Sequence, residues 1–454
     1  LLKGLFKKST KNSKNLPLPQ KKVEPTIIPR SEHSISRKEI NPNALKVLYR
    51  LHEAGYAAYL VGGCVRDLLL GFRPKDFDIA TDALPEDVRK LFKNCRLIGK
   101  RFRLAHILFG RDIIEVATFR THHENAETQQ AEMRKGMIVR DNVFGPIEHD
   151  AMRRDFSVNA LYYNIANFSV LDYAEGMADI KARSLRMIGD PEKRFHEDPV
   201  RLLRAIRFAG KLNFTISPET EIHIKKLSHL LQGVSTARLF TEVEKFFAGG
   251  SLASIFKLLA HYHLLEQLFP QTASSLQNAT TAKLIELSLA NTDNRLEQGK
   301  TVSPAFLFAV LLWGPVQEQT TQELANGFPT YVAYEHAIFN VLKKQSDQLA
   351  IPRRLQVTIR DICFLQHRLT QRQGTRAHRT LEHPRFRAGY DLLMLRAKAG
   401  ESVDDLYHWW TEFQQATPEH REHLLKRVST PGKKHKRSRK PYKKPLSTPH
   451  NPEL

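Results

Sequence analysis

Two adjacent glycines, Gly62 and Gly63, follow the apolar run AAYLV and lead into CVRDLLL, after which the chain enters DFDIAT. The first and last of these runs read as strands bounded by turn residues, and the middle one suits a helix start. A strand–turn–helix–strand order across Leu60–Thr81 demands a sheet whose turn packs tightly against a helix. Glycine lets backbone N–H groups approach a bound anion, and a helix N-terminus favours negative charge. Arg66 adds a cation beside that turn. A Gly-Gly pair alone does no more than turn a chain, and the residues that follow give this one its chemistry.

Asp76 and Asp78 flank Phe77 in DFDIAT. Strand side chains alternate, so both carboxylates are expected on one face with Phe77 in the core. Two like charges so close repel unless a cation joins them. Magnesium takes a few carboxylates and completes its shell with water and phosphate. A pair of such ions activates an attacking hydroxyl and steadies a leaving group. A third acid is expected, with two candidates. Glu115 lies inside IIEVATF, where a buried carboxylate would need a partner, and its competing reading is an outward-facing residue on a half-exposed strand. Asp155 follows two arginines in MRRDFSVNALYY and opens a helix-like run, so helix capping is its competing role.

Around this core the chain falls into regions of different texture. Residues 1–41 are rich in Lys, Ser and Pro and read as a flexible basic arm able to touch an anionic membrane weakly. Residues 42–175 alternate helical and strand-like runs: ALKVLYRLHEAG has amphipathic helix spacing ending at Gly55, and HILFG, IIEVATF and VLDYAEG read as strands. Beyond about 190 the pattern is almost wholly helical, dividing into 176–250 and 251–428. Residues 429–454 form a basic, proline-rich tail. The expected fold is α+β: a head with a mixed sheet, then an all-α body.

A net charge of +22 among 454 residues points to a polyanionic partner. No apolar run approaches the length needed to cross a bilayer. The three cysteines are too scattered for a disulfide framework or metal site, which suits a reducing cytoplasm. His122 and His123 lack companion ligands and read as a loop, and Trp409 and Trp410 read as aromatics of the terminal helices. In HEDPVRLLRAIRFAGKL, Asp198, Arg201, Arg204 and Arg207 recur at helical spacing along one side; on pattern alone this is a solvated basic face.

Taken together, GGCVRD, KDFDIAT and RRDFSVNAL resemble the class II nucleotidyltransferases of the DNA polymerase beta superfamily. That group holds bacterial poly(A) polymerases and CCA-adding tRNA nucleotidyltransferases. The resemblance implies that Asp76 and Asp78 hold two magnesium ions, that Asp155 belongs to the active site, and that Gly62, Gly63 and Arg66 face the nucleotide. It also implies that Asp198 and Arg201, with Arg204 and Arg207, lie on a neck that reads the incoming base. The chemistry agrees: a carboxylate accepts from an exocyclic amine while a guanidinium donates to a ring nitrogen. Adenine and cytosine offer that edge, guanine and uracil do not, so these residues leave ATP and CTP unseparated. Ser235, Arg238 and Glu242 are expected to brace the neck or to be ordinary helix surface.

The segment LIGKRFRLAHILFG, with Arg101, Arg103 and His106, and the entry SISRKEINPNALKVLYRLHEAGY are similar to the poly(A) polymerase branch, and the basic tail suits grip on varied RNA more than measurement of one folded tRNA. The resemblance therefore implies AMP addition from ATP to RNA 3′ ends, with RNA-decay proteins as partners and a monomeric enzyme. A CCA-adding enzyme and a catalytically dead RNA-binding scaffold are the alternatives.

Overall fold

The computed structural model describes residues 23–99, 103–121, 131–134, 137–141 and 143–429. The expectations for Arg101, for His122 and His123, and for the tail from 430 onward lie outside them. The chain forms two compact units, one of Leu1–Ser274 with Leu289–Val302 and Gln345–Ile351, the other of Ser275–Ser288, Ser303–Lys344 and Pro352–Leu454. The break near Ser274 falls well after residue 251, so the helix Leu252–His261 belongs with the head rather than with a separate body.

The first unit is built on a mixed sheet. Its strands are β1 (Thr26–Ile28), β2 (Ala58–Val61), β3 (Asp78–Thr81), β4 (Cys95–Ile98), β5 (Leu104–Phe109) and β6 (Asp112–Thr118). A separate pair, β7 (Ala131–Arg134) and β8 (Met137–Asp141), precedes β9 (Leu161–Asn164) and β10 (Val170–Asp172), and β11 (Ser184–Leu185) later pairs with β12 (Thr215–Ile216). The main sheet runs β1-β10-β9-β2-β3-β6-β5-β4, with β3 and β6 parallel and the remaining neighbours antiparallel.

Sequence periodicity places a helix that packs on this sheet. Val47, Leu48 and Leu51 of Pro42–Glu53 are fully buried against the sheet. Asn41 caps that helix by accepting from the Asn43 amide at 2.7 Å, and the chain leaves through Gly55 at φ 88°. Two expectations are corrected here. Thr26–Ile28, expected within a flexible arm, pairs with β10 and belongs to the sheet. The run after Asp155 is not a helix: a 3-10 turn, Ser157–Asn159, feeds β9, because Tyr162 and Tyr163 each fill a core on opposite faces of a central strand.

The second unit is helical, from Pro304–Ala325 to Pro418–Ser429. Trp409 stacks on Phe413 with ring centroids 4.5 Å apart, and the Trp410 indole donates to the Leu369 carbonyl at 2.8 Å. Both tryptophans are core residues. No described helix is long and apolar enough to cross a membrane.

Close packing holds the turn beside Asp155. A Cβ on Gly176 would lie 2.4 Å from the Ser157 carbonyl oxygen. Gly176→Ala is therefore expected to cost about 2 kcal/mol of unfolding free energy in urea titrations; unchanged stability would contradict the close approach.

Candidate active site

Parallel pairing of β3 and β6 sets Asp78 opposite Glu115, and antiparallel pairing of β6 and β5 sets Glu115 opposite His106. Paired positions on neighbouring strands project from the same face, so these residues form a row. His106 Nε2 lies 3.2 Å from Glu115 Oε2. Glu115 is thus not a buried carboxylate; its side chain is 41% exposed and the partner that it was expected to need is a histidine. Phe77 is buried, and Asp76 is exposed just ahead of the strand.

Asp78 faces a cavity of about 370 Å³ and is accessible from it. The walls nevertheless strip enough water that desolvation, Glu115 and Asp76 push its carboxyl up to about 6, against the pull of Arg154. A divalent cation relieves this kind of crowding. Among the described residues no trio of His, Cys, Asp or Glu makes a complete metal cage. The row fits magnesium all the same, because that ion takes one or two carboxylates and leaves its remaining positions to water and phosphate.

Arg120, Arg153 and Arg154 line the same cavity. Burial, together with Arg120, Arg154, Arg194 and Arg201, pushes Arg153 well below its ordinary value. Such crowding of cations is the counterpart of the acid row and favours an anion between them. Arg154 is held by Asp150 at 2.9 Å and by the Tyr162 hydroxyl at 2.9 Å. Gly62 has φ 77°, a conformation that glycine adopts without strain, and the turn lies beside Arg154.

Asp155 lines the cavity, but its charge is committed. It accepts from Arg204 Nη2 at 2.5 Å, from Asn159 Nδ2 at 3.1 Å and from the Phe156 amide at 2.9 Å. Against the opposing effect of burial, these partners hold Asp155 well below the usual carboxylate range. Arg66 does not line the cavity. Its guanidinium is buried, bonded to Asp67 at 2.6 Å and Asn159 at 2.6 Å, and it ties the Gly63–Leu69 helix to the turn before β9.

On the neck, the helix Pro191–Glu197 stops at Asp198, which is extended (φ −148°) as a residue before proline prefers. The helix Val200–Leu212 follows. Its arginines are half-buried rather than solvated, each with a fixed partner. Arg201 bonds Glu197 at 2.9 Å, Arg204 bonds Asp155, and Arg207 bonds Glu242 at 3.3 Å. Arg238 grips Asp198 at 2.9 Å, so Arg238 and Glu242 brace the neck, whereas the Ser235 side chain caps nothing. Asp198, Arg201 and Arg204 reach the cavity wall, and Arg207 does not form part of that wall. Sequence reading missed Asp150 and Arg120, which carry no local pattern; the arginine pair before Asp155 was the available signal for Arg153 and Arg154.

An acid row facing clustered arginines on this head is the arrangement of a nucleotidyltransferase. Family models match the poly(A) polymerase head domain over residues 58–186, the probable RNA and SrmB-binding site of polymerase A over 213–276, and the polymerase A arginine-rich C-terminus over 326–444. Poly(A) polymerase I of Salmonella typhimurium is 50% identical, with 91% of each chain covered. The Haemophilus influenzae protein of that name is 45% identical over 94% of this chain and 95% of its own. The chain belongs to the bacterial poly(A) polymerase family. A Bacillus subtilis CCA-adding enzyme is 40% identical but matches only 50% of this chain and 55% of its own. The solved Thermotoga maritima CCA-adding enzyme with tRNA shares the fold, with a TM-score of 0.56 at 19% identity over 90% of this chain and 96% of its own.

Linkage between Asp155 and Arg204 predicts a specific pH dependence. The folded-state value of Asp155 is depressed, so the pair stabilises the fold fully above the unfolded value of about 4 and less as pH falls toward the depressed one. Asp155→Asn is expected to cost about 2 kcal/mol at pH 7 and progressively less below pH 4 in urea titrations. A loss that stayed constant down to pH 3 would contradict the pairing.

Proposed function

We propose that this cavity catalyses template-independent addition of AMP from ATP to RNA 3′ ends. The carrying observation is the acid pair of Asp78 and Glu115, lining one cavity together with Arg120, Arg153 and Arg154, with Asp76 close enough to raise the Asp78 carboxyl further. Asp76, Asp78 and Glu115 would hold two magnesium ions, which supply a more acidic RNA hydroxyl and charge neutralisation at the phosphates. The arginine cluster receives the triphosphate, and Gly62 lets the backbone come close to it. The RNA 3′ oxygen forms a bond to the α-phosphorus as the bond to the β-phosphate oxygen breaks and pyrophosphate leaves.

Asp198 and Arg201 meet the amine and ring-nitrogen edge of the base. Arg238 holds the Asp198 carboxylate in place, so one face of it is fixed before the nucleotide arrives. Asp155 acts as a positioning residue that fixes Arg204, and with it the neck helix, beside the acids. The natural setting is RNA processing and decay, with RNA-decay proteins as partners of a monomeric cytoplasmic enzyme.

Purified protein with magnesium, ATP or CTP, and either unstructured RNA or tRNA lacking its CCA end tests the reading. Long A tails on generic RNA are expected. Three-nucleotide repair confined to tRNA would replace this function with CCA addition. Asp78→Ala is expected to slow tailing by about three orders of magnitude; unaltered tailing would leave the acid row without a catalytic role.

A further inference from the structure

The second unit carries a pocket that the chemistry above does not use. It is a cavity of about 190 Å³ between the helices Thr330–Gln348 and Arg353–Leu369, reached also by His383. That volume suits a single nucleobase and excludes a helix or a duplex.

One wall is aromatic. Tyr331 is 52% exposed, yet its ring is held edge-on by Phe364 (centroids 5.1 Å apart, planes at 82°). A second edge contact comes from His367 at 6.2 Å. An exposed ring with a fixed orientation is a stacking platform that loses little entropy when a flat ligand settles on it. Beside it the Arg368 guanidinium lies 5.6 Å over the Phe364 ring, and Arg360 lines the same pocket. Both arginines are exposed, and among the described residues neither has a carboxylate at ion-pair distance. Glu335 and Asp361 complete the polar lining.

The set matches one ligand chemistry. A base stacks on an aromatic face, its exocyclic amine donates to a carboxylate, and the attached phosphate meets unpaired guanidinium groups. An acidic peptide would also meet the arginines, but its carboxylates would be repelled by Glu335 and Asp361. The surroundings are basic as well, with eleven Lys and Arg against three Asp and Glu across residues 352–398.

We propose that this pocket holds one unpaired nucleotide of the RNA strand, its base on Tyr331 and its phosphate at Arg360 and Arg368. The inference rests on RNA being the substrate, and it adds a second grip on the strand, separate from the site that holds the reacting end.

Binding of a fluorescent twenty-residue oligo(A) RNA to the full chain, in chelator and without ATP, tests it. Tyr331→Ala is expected to weaken binding by about tenfold, and Tyr331→Trp to restore it. Arg360→Gln and Arg368→Gln are each expected to lower the slope of log affinity against log salt by about 0.7, whereas Tyr331→Ala leaves that slope unchanged. KM for ATP is expected to stay constant in all of them. Wild-type affinity in Tyr331→Ala would overturn the proposal, as would a loss that Tyr331→Trp fails to rescue and that tracks a lower melting temperature. Binding of a poly-glutamate peptide that needs Tyr331 while RNA binding does not would assign the pocket to protein instead. The assay contains neither metal nor nucleotide, so the two readings fail separately. Tyr331-dependent RNA binding by a chain that makes no poly(A) refutes only the enzyme reading. Poly(A) synthesis with Tyr331-independent binding refutes only the pocket.

Discussion

Asp78 and Glu115 stand side by side because β3 and β6 run parallel, and nearly everything at the site follows from that adjacency. Two carboxylates at paired positions on neighbouring strands repel, and the fold bears the cost by leaving them open to a cavity instead of burying them. Desolvation first, then Glu115 and, from just outside the strand, Asp76 push the Asp78 carboxyl up to about 6. A cation resolves the conflict. Arg153, which lines the same cavity, carries the converse strain, depressed by burial and by four neighbouring arginines. The proposed magnesium triphosphate carries both signs of charge and would satisfy acids and arginines together, whereas a free cation or a free anion would satisfy one set.

A second layer of charge joins the sheet to the helices behind it. Asp155 meets Arg204, Asp198 meets Arg238, and Glu242 takes both Arg207 and Lys245. Each pair is at least partly shielded from water, so each is directional, and removing one partner strands the other's charge. Asp155–Arg204 fixes the neck helix relative to the turn before β9, while Asp198–Arg238 and Arg207–Glu242 tie the neck to the helix Thr236–Gly249. The placement of Asp198, Arg201 and Arg204 beside the acid row is thereby set by the fold and not by the substrate. An enzyme that has no template needs that rigidity, since geometry alone tells one base from another.

Much of this was legible in the chain. The Gly-Gly turn, the buried Phe77 beside an accessible Asp78 and the amphipathic helix over Pro42–Glu53 are local patterns with local causes, whereas the strand begins only at Asp78, so strand alternation does not reach Asp76. Asp155 shows where local reading stops. Its sequence neighbours mark it as active-site chemistry or a helix cap, yet its role is decided by Arg204, far along the chain. Arg66 is similar: a cation next to a phosphate-type turn invites a contact with the ligand, but Asn159 and Asp67 claim it. Glu115 sits in an apolar run that suggests burial, and only the register with β3 and β5 shows that it faces the cavity beside Asp78 and His106. β1 escaped notice because its three residues derive their order from pairing with β10 and not from any pattern of their own.

The central claim is that Asp78 and Glu115 form the cation seat while Asp155 is spent on Arg204. Titration of manganese into the protein, followed by electron paramagnetic resonance in the absence of nucleotide, tests it most directly. The account predicts that Asp78→Asn and Glu115→Gln each weaken manganese binding markedly and that Asp155→Asn leaves it close to wild type. Loss of binding in Asp155→Asn with full binding in Glu115→Gln would contradict it.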